Sequence, residues 1–431
     1  MTSRETRSQT YRTYVGLKEQ LEKIDFAADE AQKKVDFESA HDEEILLAIT
    51  IVEDFLKSTG RVCYGGAAMN AQLPDKYKFY DPRYNIPDYD FLTPNPEEDI
   101  EMLERRFRAA GFTDIGIRAG MHEGTTKIYI NFVPVADVSA IHPTLYNMFK
   151  KHSVKVGGLT FMDINSLRMM MYLELSRPRG EVSRWSKVYE RILLLAYARP
   201  VKAGACRTRA PRTRIPLPVY RTVLQYALRM GRVIAGASVV GAYHESLQRP
   251  LAAEWFFSQK LPLILYVPAS SGDEVALREL LGDLSVRQFP ATGDFIPKMT
   301  LLSYQKSPIV LLVEETACHS YNTLQMRSGK ILRMASLDTL ITLYLSILLS
   351  DNKFLKTLFP KSIMCMAQES LELSAYMRRY PEKSQFPFIS LTCSGHQKGM
   401  PTLLREKVER IRAAKTQKAK RSDRTKTRRS P

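Results

Sequence analysis

Charged residues interleaved with Leu21, Ile24, Phe26 and Ala31, followed by Ile45, Leu46, Ile49, Ile51 and Phe55 at helical spacing, predict helix over residues 16–56. Gly60 stands where a left-handed cap would end it, and residues 61–64 then read as a short strand. Gly65 and Gly66 turn the chain into a short helix over residues 67–71, and the polar, aromatic, Pro-rich stretch 74–87 is a loop that shapes one wall of any pocket beside it. In the strand at 88–92, Tyr89 and Phe91 face a core while Asp88 and Asp90 share the opposite face, because side chains alternate across the pleat. An acid-headed helix follows, with Ile100, Leu103, Phe107 and Ala110 as its apolar stripe before Gly111. Strands are predicted at 115–117 and, as one long run ending near Asp137, at 125–138; helices are predicted at 164–175 and 185–197. Met169, Met170 and Met171 read as core packing and His122 as a turn residue.

Beyond Pro218 the order recurs. Helix 220–230, strand 232–235, the turn at Gly236, strand 261–267, helix 274–284 and strand 307–314 parallel the first half, with residues 341–349 and 364–377 as closing helices. The acids do not recur: Leu263, Ile264, Leu265 and Tyr266 stand where the first copy has its carboxylates. The expected organisation is a helical region at 1–60, a catalytic domain at 61–198, a basic linker at 199–219, a degenerate copy at 220–400 and a basic, largely disordered tail at 401–431.

With 431 residues and 44% hydrophobic content the chain has material for two cores. Its net charge of +17 is concentrated: residues 199–221 carry seven basic side chains and no acid, and residues 415–431 carry eight against Asp423 alone. Such runs are solvated unless a polyanion meets them, and nucleic acid is the partner that would. The five cysteines (63, 206, 318, 365 and 393) are dispersed and form no C-x-x-C, which points to free thiols in a reducing compartment and away from a zinc site. With no charged-then-apolar leader and no long apolar run, neither secretion nor membrane spanning is expected.

Paired carboxylates on one strand face, a third at the end of a neighbouring strand and a glycine turn opening a helix together suit phosphoryl transfer. Divalent cations of the Mg²⁺ kind take carboxylate oxygens, and helix-opening N–H groups meet phosphate. Taken singly, an Asp-x-Asp is usually a solvent-facing pair and a Gly-Gly a plain turn; their order gives them meaning. Asp88, Asp90 and Asp137 are the candidate metal ligands and catalytic residues. The remaining histidines, including His142, His244 and His319, lack ligand spacing.

The residues Tyr64 to Asn70, Ile86 to Phe91, Asn131 to Val138, Leu173 to Pro178 and Ser183 to Tyr189 resemble the nucleotidyltransferases of the DNA polymerase β superfamily. The similarity is to the poly(A) polymerase catalytic subunits of large nucleocytoplasmic DNA viruses, relatives of the poxvirus enzyme, and covers about residues 62–195. It implies an α/β (α+β) chain: a polymerase β-like domain with N-terminal helices and a second, inactive nucleotidyltransferase-like domain. It further implies template-independent addition of AMP from ATP to RNA 3′ ends by two-metal chemistry with Mg²⁺ or Mn²⁺, in the host cytoplasm (a viral factory) or the virion. Gly65 and Gly66 would contact phosphate, in a turn that more often reads Gly-Ser, and Lys187 would contact the triphosphate. A processivity subunit or a homo-oligomer is the implied assembly. The alternatives are an inactive RNA-binding scaffold and a terminal transferase of other base preference.

Overall fold

The architecture is that of a computed structural model, which describes residues 17–120, 124–207, 215–247, 261–293, 295–326, 329–399, 402, 404–406, 408 and 409. His122, the basic residues 208–214 and the tail beyond 409 lie outside the described residues. The chain forms two compact units, residues 1–140 with 154–161, and residues 141–153 with 162–431.

The first unit opens with two helices where periodicity alone predicts one. α1 (Leu17–Ala40) ends before His41, and α2 (Glu43–Thr59) starts afresh because the Asp42 carboxylate accepts from the Ile45 N–H at 3.0 Å, satisfying an otherwise orphaned donor. Gly60, at φ 61°, closes α2 as anticipated. Then come β1 (Val62–Cys63), α3 (Gly65–Gln72), β2 (Tyr89–Thr93), α4 (Pro96–Ala109), β3 (Ile115–Ala119), β4 (Thr125–Ile130), β5 (Val133–Ala140), β6 (Val154–Val156) and β7 (Leu159–Phe161). The sheet order is β3-β4-β5-β2-β1-β7-β6. β2 runs parallel to β5 and antiparallel to β1, and β1 runs parallel to β7.

The single strand expected over 125–138 is a hairpin instead. Asn131 and Phe132 both have positive φ, 48° and 66°, the pairing of left-handed residues whose twist suits a two-residue hairpin. The fold therefore turns at Asn131 and Phe132, within a run whose alternation otherwise continues, and β5 gains a second neighbour.

One face of this sheet carries the core. Ile45, Ala48, Ile49, Val52, Phe55 and Leu56 of α2, with Leu103 and Phe107 of α4, are buried, and the Phe55 and Phe91 rings lie 5.6 Å apart. Tyr89 lies on the same side and gives its hydroxyl to Glu53 at 2.7 Å. Arg61 grips buried Asp99 of α4 with two hydrogen bonds of 2.8 and 2.9 Å, fixing that helix to the start of β1.

The second unit contains α5 (Pro143–His152), α6 (Ile164–Leu175), α7 (Trp185–Ala198), α8 (Leu217–Arg229), β8 (Val233–Ala235), α9 (Ala237–Ser246), β9 (Leu263–Val267), α10 (Asp273–Leu281), β10 (Ser285–Phe289), β11 (Met299–Tyr304), β12 (Ser307–Glu314), β13 (His319–Gln325), β14 (Ile331–Ala335), α11 (Leu337–Leu349), α12 (Lys353–Thr357), α13 (Ile363–Arg379) and β15 (Cys393–Ser394). Its sheet order is β10-β11-β12-β9-β8-β14-β13-β15. Apart from the added β15, this repeats the first unit strand for strand. The polarities also repeat: β12 parallel to β9, β9 antiparallel to β8, β8 parallel to β14. The repeat expected from element order is thus a repeat of topology.

The cysteines depart from expectation. Cys206 pairs with Cys365 and Cys318 with Cys393, at Cα separations of 5.6 and 5.2 Å, and Cys63 is a buried thiol outside these disulfides. Partners 159 and 75 residues apart leave no local spacing from which to read the pairing. Among the described residues no helix is long and apolar enough to cross a membrane.

Candidate active site

The alternation of β2 behaves as its sequence requires: Tyr89 and Phe91 are buried, Asp90 is half-buried and Asp88 is exposed. Register then brings in the third acid. Asp90 pairs directly with Asp137 across the parallel strands β2 and β5, so both carboxylates occupy the sheet face away from α2, with Asp88 two residues before Asp90. Asp137 is itself buried, at 7% exposure, and a buried carboxylate needs a partner.

That partner is Lys127, which sequence reasoning missed. Lys127 faces Asp137 across the β4–β5 hairpin, and its Nζ lies 2.8 Å from Oδ1 and 2.6 Å from Oδ2. Burial works against the lysine's charge, but the hydrogen bond and charge of Asp137, with Asp88 behind it, hold the ammonium above the ordinary lysine value. The signal was present in the turn: folding the run at Asn131 and Phe132 sets residue 127 opposite residue 137.

Gly65 closes the other side. Its φ is +70°, a region other residues adopt at a cost, and a Cβ there would overlap Asp90 Oδ2 and stand 3.1 Å from its Cγ. Glycine is required here both by the turn and by the acid beside it. Gly66 is buried in the first turn of α3, and no side chain caps that helix. The Tyr64 N–H donates to the Asp90 carbonyl at 2.9 Å. The Tyr64 hydroxyl lies 2.9 Å from Ser139 Oγ, which is 2.8 Å from Thr125 Oγ1, so a row of hydroxyls links the turn to β5 and β4. At the end of α3, Asn70 Oδ1 accepts from the N–H groups of Phe79 (2.9 Å) and Tyr80 (3.2 Å), pinning the loop that leads to Asp88.

As donors for a divalent cation the three carboxylates suit hard, oxygen-seeking ions, and Asp137 already holds a cation in the form of the Lys127 ammonium. Among the described residues no three His, Cys, Asp or Glu side chains close into a ready-made metal cage. Lys187 is exposed on α7 and belongs to the second unit, where Arg184 pairs with Glu174 and Glu181 at 3.6 and 3.7 Å. His142 serves as a helix cap, accepting from the Thr144 N–H, and His244 bonds Glu369 at 2.8 Å.

The second unit shows the same frame without the chemistry. Gly236 makes the turn at φ +85°, and a Cβ on it would meet Ile264 at 2.8 Å, as one on Gly65 meets Asp90. Ile264 pairs with Leu311, and Leu311 with Leu301, in the registers that join Asp90 to Asp137 and Asp137 to Lys127. The place of Asp88 falls to Pro262. The copy's site is therefore filled with aliphatic side chains.

Known proteins resemble this chain in sequence and in fold. Residues 50–181 fit the family profile described as poly(A) polymerase catalytic subunit. A candidate poly(A) polymerase catalytic subunit of Acanthamoeba polyphaga mimivirus is 24% identical over 212 residues, covering 47% of this chain and 35% of that protein. One from African swine fever virus is 27% identical over 194 residues, covering 44% of this chain and 40% of that protein. The matched part of the chain thus spans well under half the length of these relatives. The crystal structure of the Megavirus polyadenylate synthase superposes with a TM-score of 0.71 at 17% identity, covering 94% of this chain and 84% of that one. That likeness establishes the shared fold, and the resemblance read from residues 62–195 and the profile match fall on the same stretch.

Proposed function

We propose that this chain is a poly(A) polymerase catalytic subunit, a template-independent enzyme that adds AMP from ATP to the 3′ ends of RNA. The observation that carries the reading is the register of Asp90 against Asp137 on parallel strands, with Asp88 beside them and a glycine turn at which a Cβ on Gly65 would overlap the Asp90 carboxylate. The duplicate frame supports it, because the same sheet without these acids exists in the same chain and carries Pro262, Ile264 and Leu311 instead.

Asp88, Asp90 and Asp137 would hold Mg²⁺ or Mn²⁺, which when bound lowers the pKa of the attacking hydroxyl and screens the leaving pyrophosphate. The chain's own residues bind and orient. Gly65 and Gly66 offer backbone N–H groups at the uncapped start of α3 to the nucleotide's phosphates. Asp137 would serve the attacking RNA 3′-hydroxyl, and Tyr64, Ser139 and Thr125 keep the turn and the strands behind it in place. Lys187 is assigned to the triphosphate by resemblance, and the basic segments at 199–221 and 415–431 to the RNA backbone through salt-sensitive contacts. Adenine preference, the host cytoplasm or virion as the setting, and a processivity subunit or second copy as partner belong to the same proposal.

A short RNA incubated with each of the four nucleoside triphosphates and Mg²⁺ or Mn²⁺ tests it. Extension with ATP by wild type and none by Asp88→Ala or Asp90→Ala is the expected result. RNA binding without extension by any of the three proteins would leave a scaffold, and extension with another triphosphate would move the base preference.

A further inference from the structure

We propose that Lys127 is a positioning residue of the first unit's site: its ammonium is a built-in counter-cation that holds Asp137 and limits how tightly a divalent ion binds before nucleotide arrives. The inference rests on the adenylyltransferase reading for its purpose, but its physical content is a competition between two cations for one carboxylate.

Three observations carry it. Lys127 reaches both oxygens of Asp137, at 2.8 and 2.6 Å, with 30% of its own side chain and 10% of the aspartate's exposed. Any ion taken up by Asp137 must share that carboxylate with the ammonium or displace it. The charge of Asp88 also acts on Lys127, so the lysine offsets part of the field of two of the three acids.

The duplicate supplies the third observation, by separating structure from chemistry. In the second unit the corresponding hairpin carries Leu301 opposite Leu311 where the first carries Lys127 opposite Asp137. Both hairpins have a register shift just beyond this pair, between Ile128 and Tyr129 and between Leu302 and Ser303. The hairpin therefore forms without a lysine, and the lysine is absent where the carboxylates are absent. A residue needed only to fold the strand pair would not track the acids in this way.

Removing the positive charge takes from Asp137 the ammonium that lies against both of its carboxylate oxygens. Lys127→Met in the full-length protein should bind Mn²⁺ without nucleotide about tenfold more tightly than wild type, the size expected of one partly screened charge in contact with the shared ligand. Titration with Mn²⁺, following the free ion by electron paramagnetic resonance, measures this directly. Lys127→Gln should shift the same way and serves if the Met variant does not fold, whereas Asp137→Asn should bind more weakly than wild type. In RNA extension, the Mg²⁺ concentration for half-maximal rate should fall in the Lys127 variants, which the loss of a merely structural side chain would not produce.

Unchanged or weaker Mn²⁺ binding in a folded Lys127 variant overturns the inference, as does a rise in KM for ATP as the only change, which would make the lysine a phosphate ligand. Because the Mn²⁺ titration uses neither RNA nor ATP, a wild type that binds the ion but extends no RNA sinks the enzymatic reading and leaves this one standing.

Discussion

Replacing Gly65 by alanine and Gly236 by alanine is the same perturbation made twice in one chain, once beside an acid and once beside a hydrocarbon. Both glycines have positive φ, +70° and +85°, so each new Cβ costs on the order of 1–3 kcal/mol of backbone strain. The neighbours then differ. At 65 the methyl overlaps Asp90 Oδ2 and stands 3.1 Å from Cγ, so the carboxylate must withdraw by on the order of 1 Å to reach ordinary contact. A reacting group misplaced that far loses about 10²-fold in rate. At 236 the methyl meets the Ile264 Cδ1 at 2.8 Å and Cγ1 at 3.2 Å, where a side-chain end can give way without touching any reacting group. Thermal denaturation should therefore find both variants destabilised by comparable amounts. RNA extension by the folded fraction should fall about 10²-fold for Gly65→Ala and hardly change for Gly236→Ala. Equal loss of activity in both, or wild-type activity in Gly65→Ala, would refute the claim that this glycine serves Asp90.

The second unit offers two further tests. Burial drives the His319 imidazole down to about 3, and the Arg177 guanidinium acts in the same sense. The unfolded ring, with a pKa near ~6.5, therefore takes up a proton that the folded one refuses: stability is whole above that value and is lost as pH falls toward 3, by on the order of several kcal/mol. Stability measured across this range should flatten in His319→Phe, and an unchanged slope would assign the acid sensitivity elsewhere. Unfolding the protein without reductant in the presence of an alkylating agent should label one of the five cysteines, Cys63; labelling of three or five would show that one or both of the Cys206–Cys365 and Cys318–Cys393 pairs do not form.

What could be read from the sequence was what depends on near neighbours. Asp88 and Asp90 share a face because alternation over two residues is a property of any strand, and Gly60, Gly65 and Gly236 mark bends because only the missing Cβ makes positive φ cheap. Non-local pairing was not legible. The run 125–138 alternates as one strand would, and the only interruption is Asn131, a residue that tolerates the left-handed region; with the hairpin unread, Lys127 had no partner. The break at His41 escaped for a related reason: the apolar period runs through it, and the Asp42 cap outweighs the periodicity locally. β10 is largely exposed and so has no buried face to reveal it, while the disulfides join residues that only the finished fold brings within reach.

The repeat also bears on how the acids should be understood. If the carboxylates helped to define the sheet, their loss in the second unit would have altered its strand order or register, yet order, polarity and even the register shift in the hairpin persist with Pro262, Ile264, Leu311 and Leu301 in their places. The frame is thus held by what the two units have in common, a buried apolar face and a glycine turn between the first strand and its helix. Burying aliphatic side chains at the vacated positions is favourable by itself, whereas three acids clustered on one sheet face repel one another and need a counter-cation. The first unit keeps the arrangement that is harder to stabilise. On physical grounds that is where an active site is expected, since residues placed against the folding gradient are retained only where their chemistry is used.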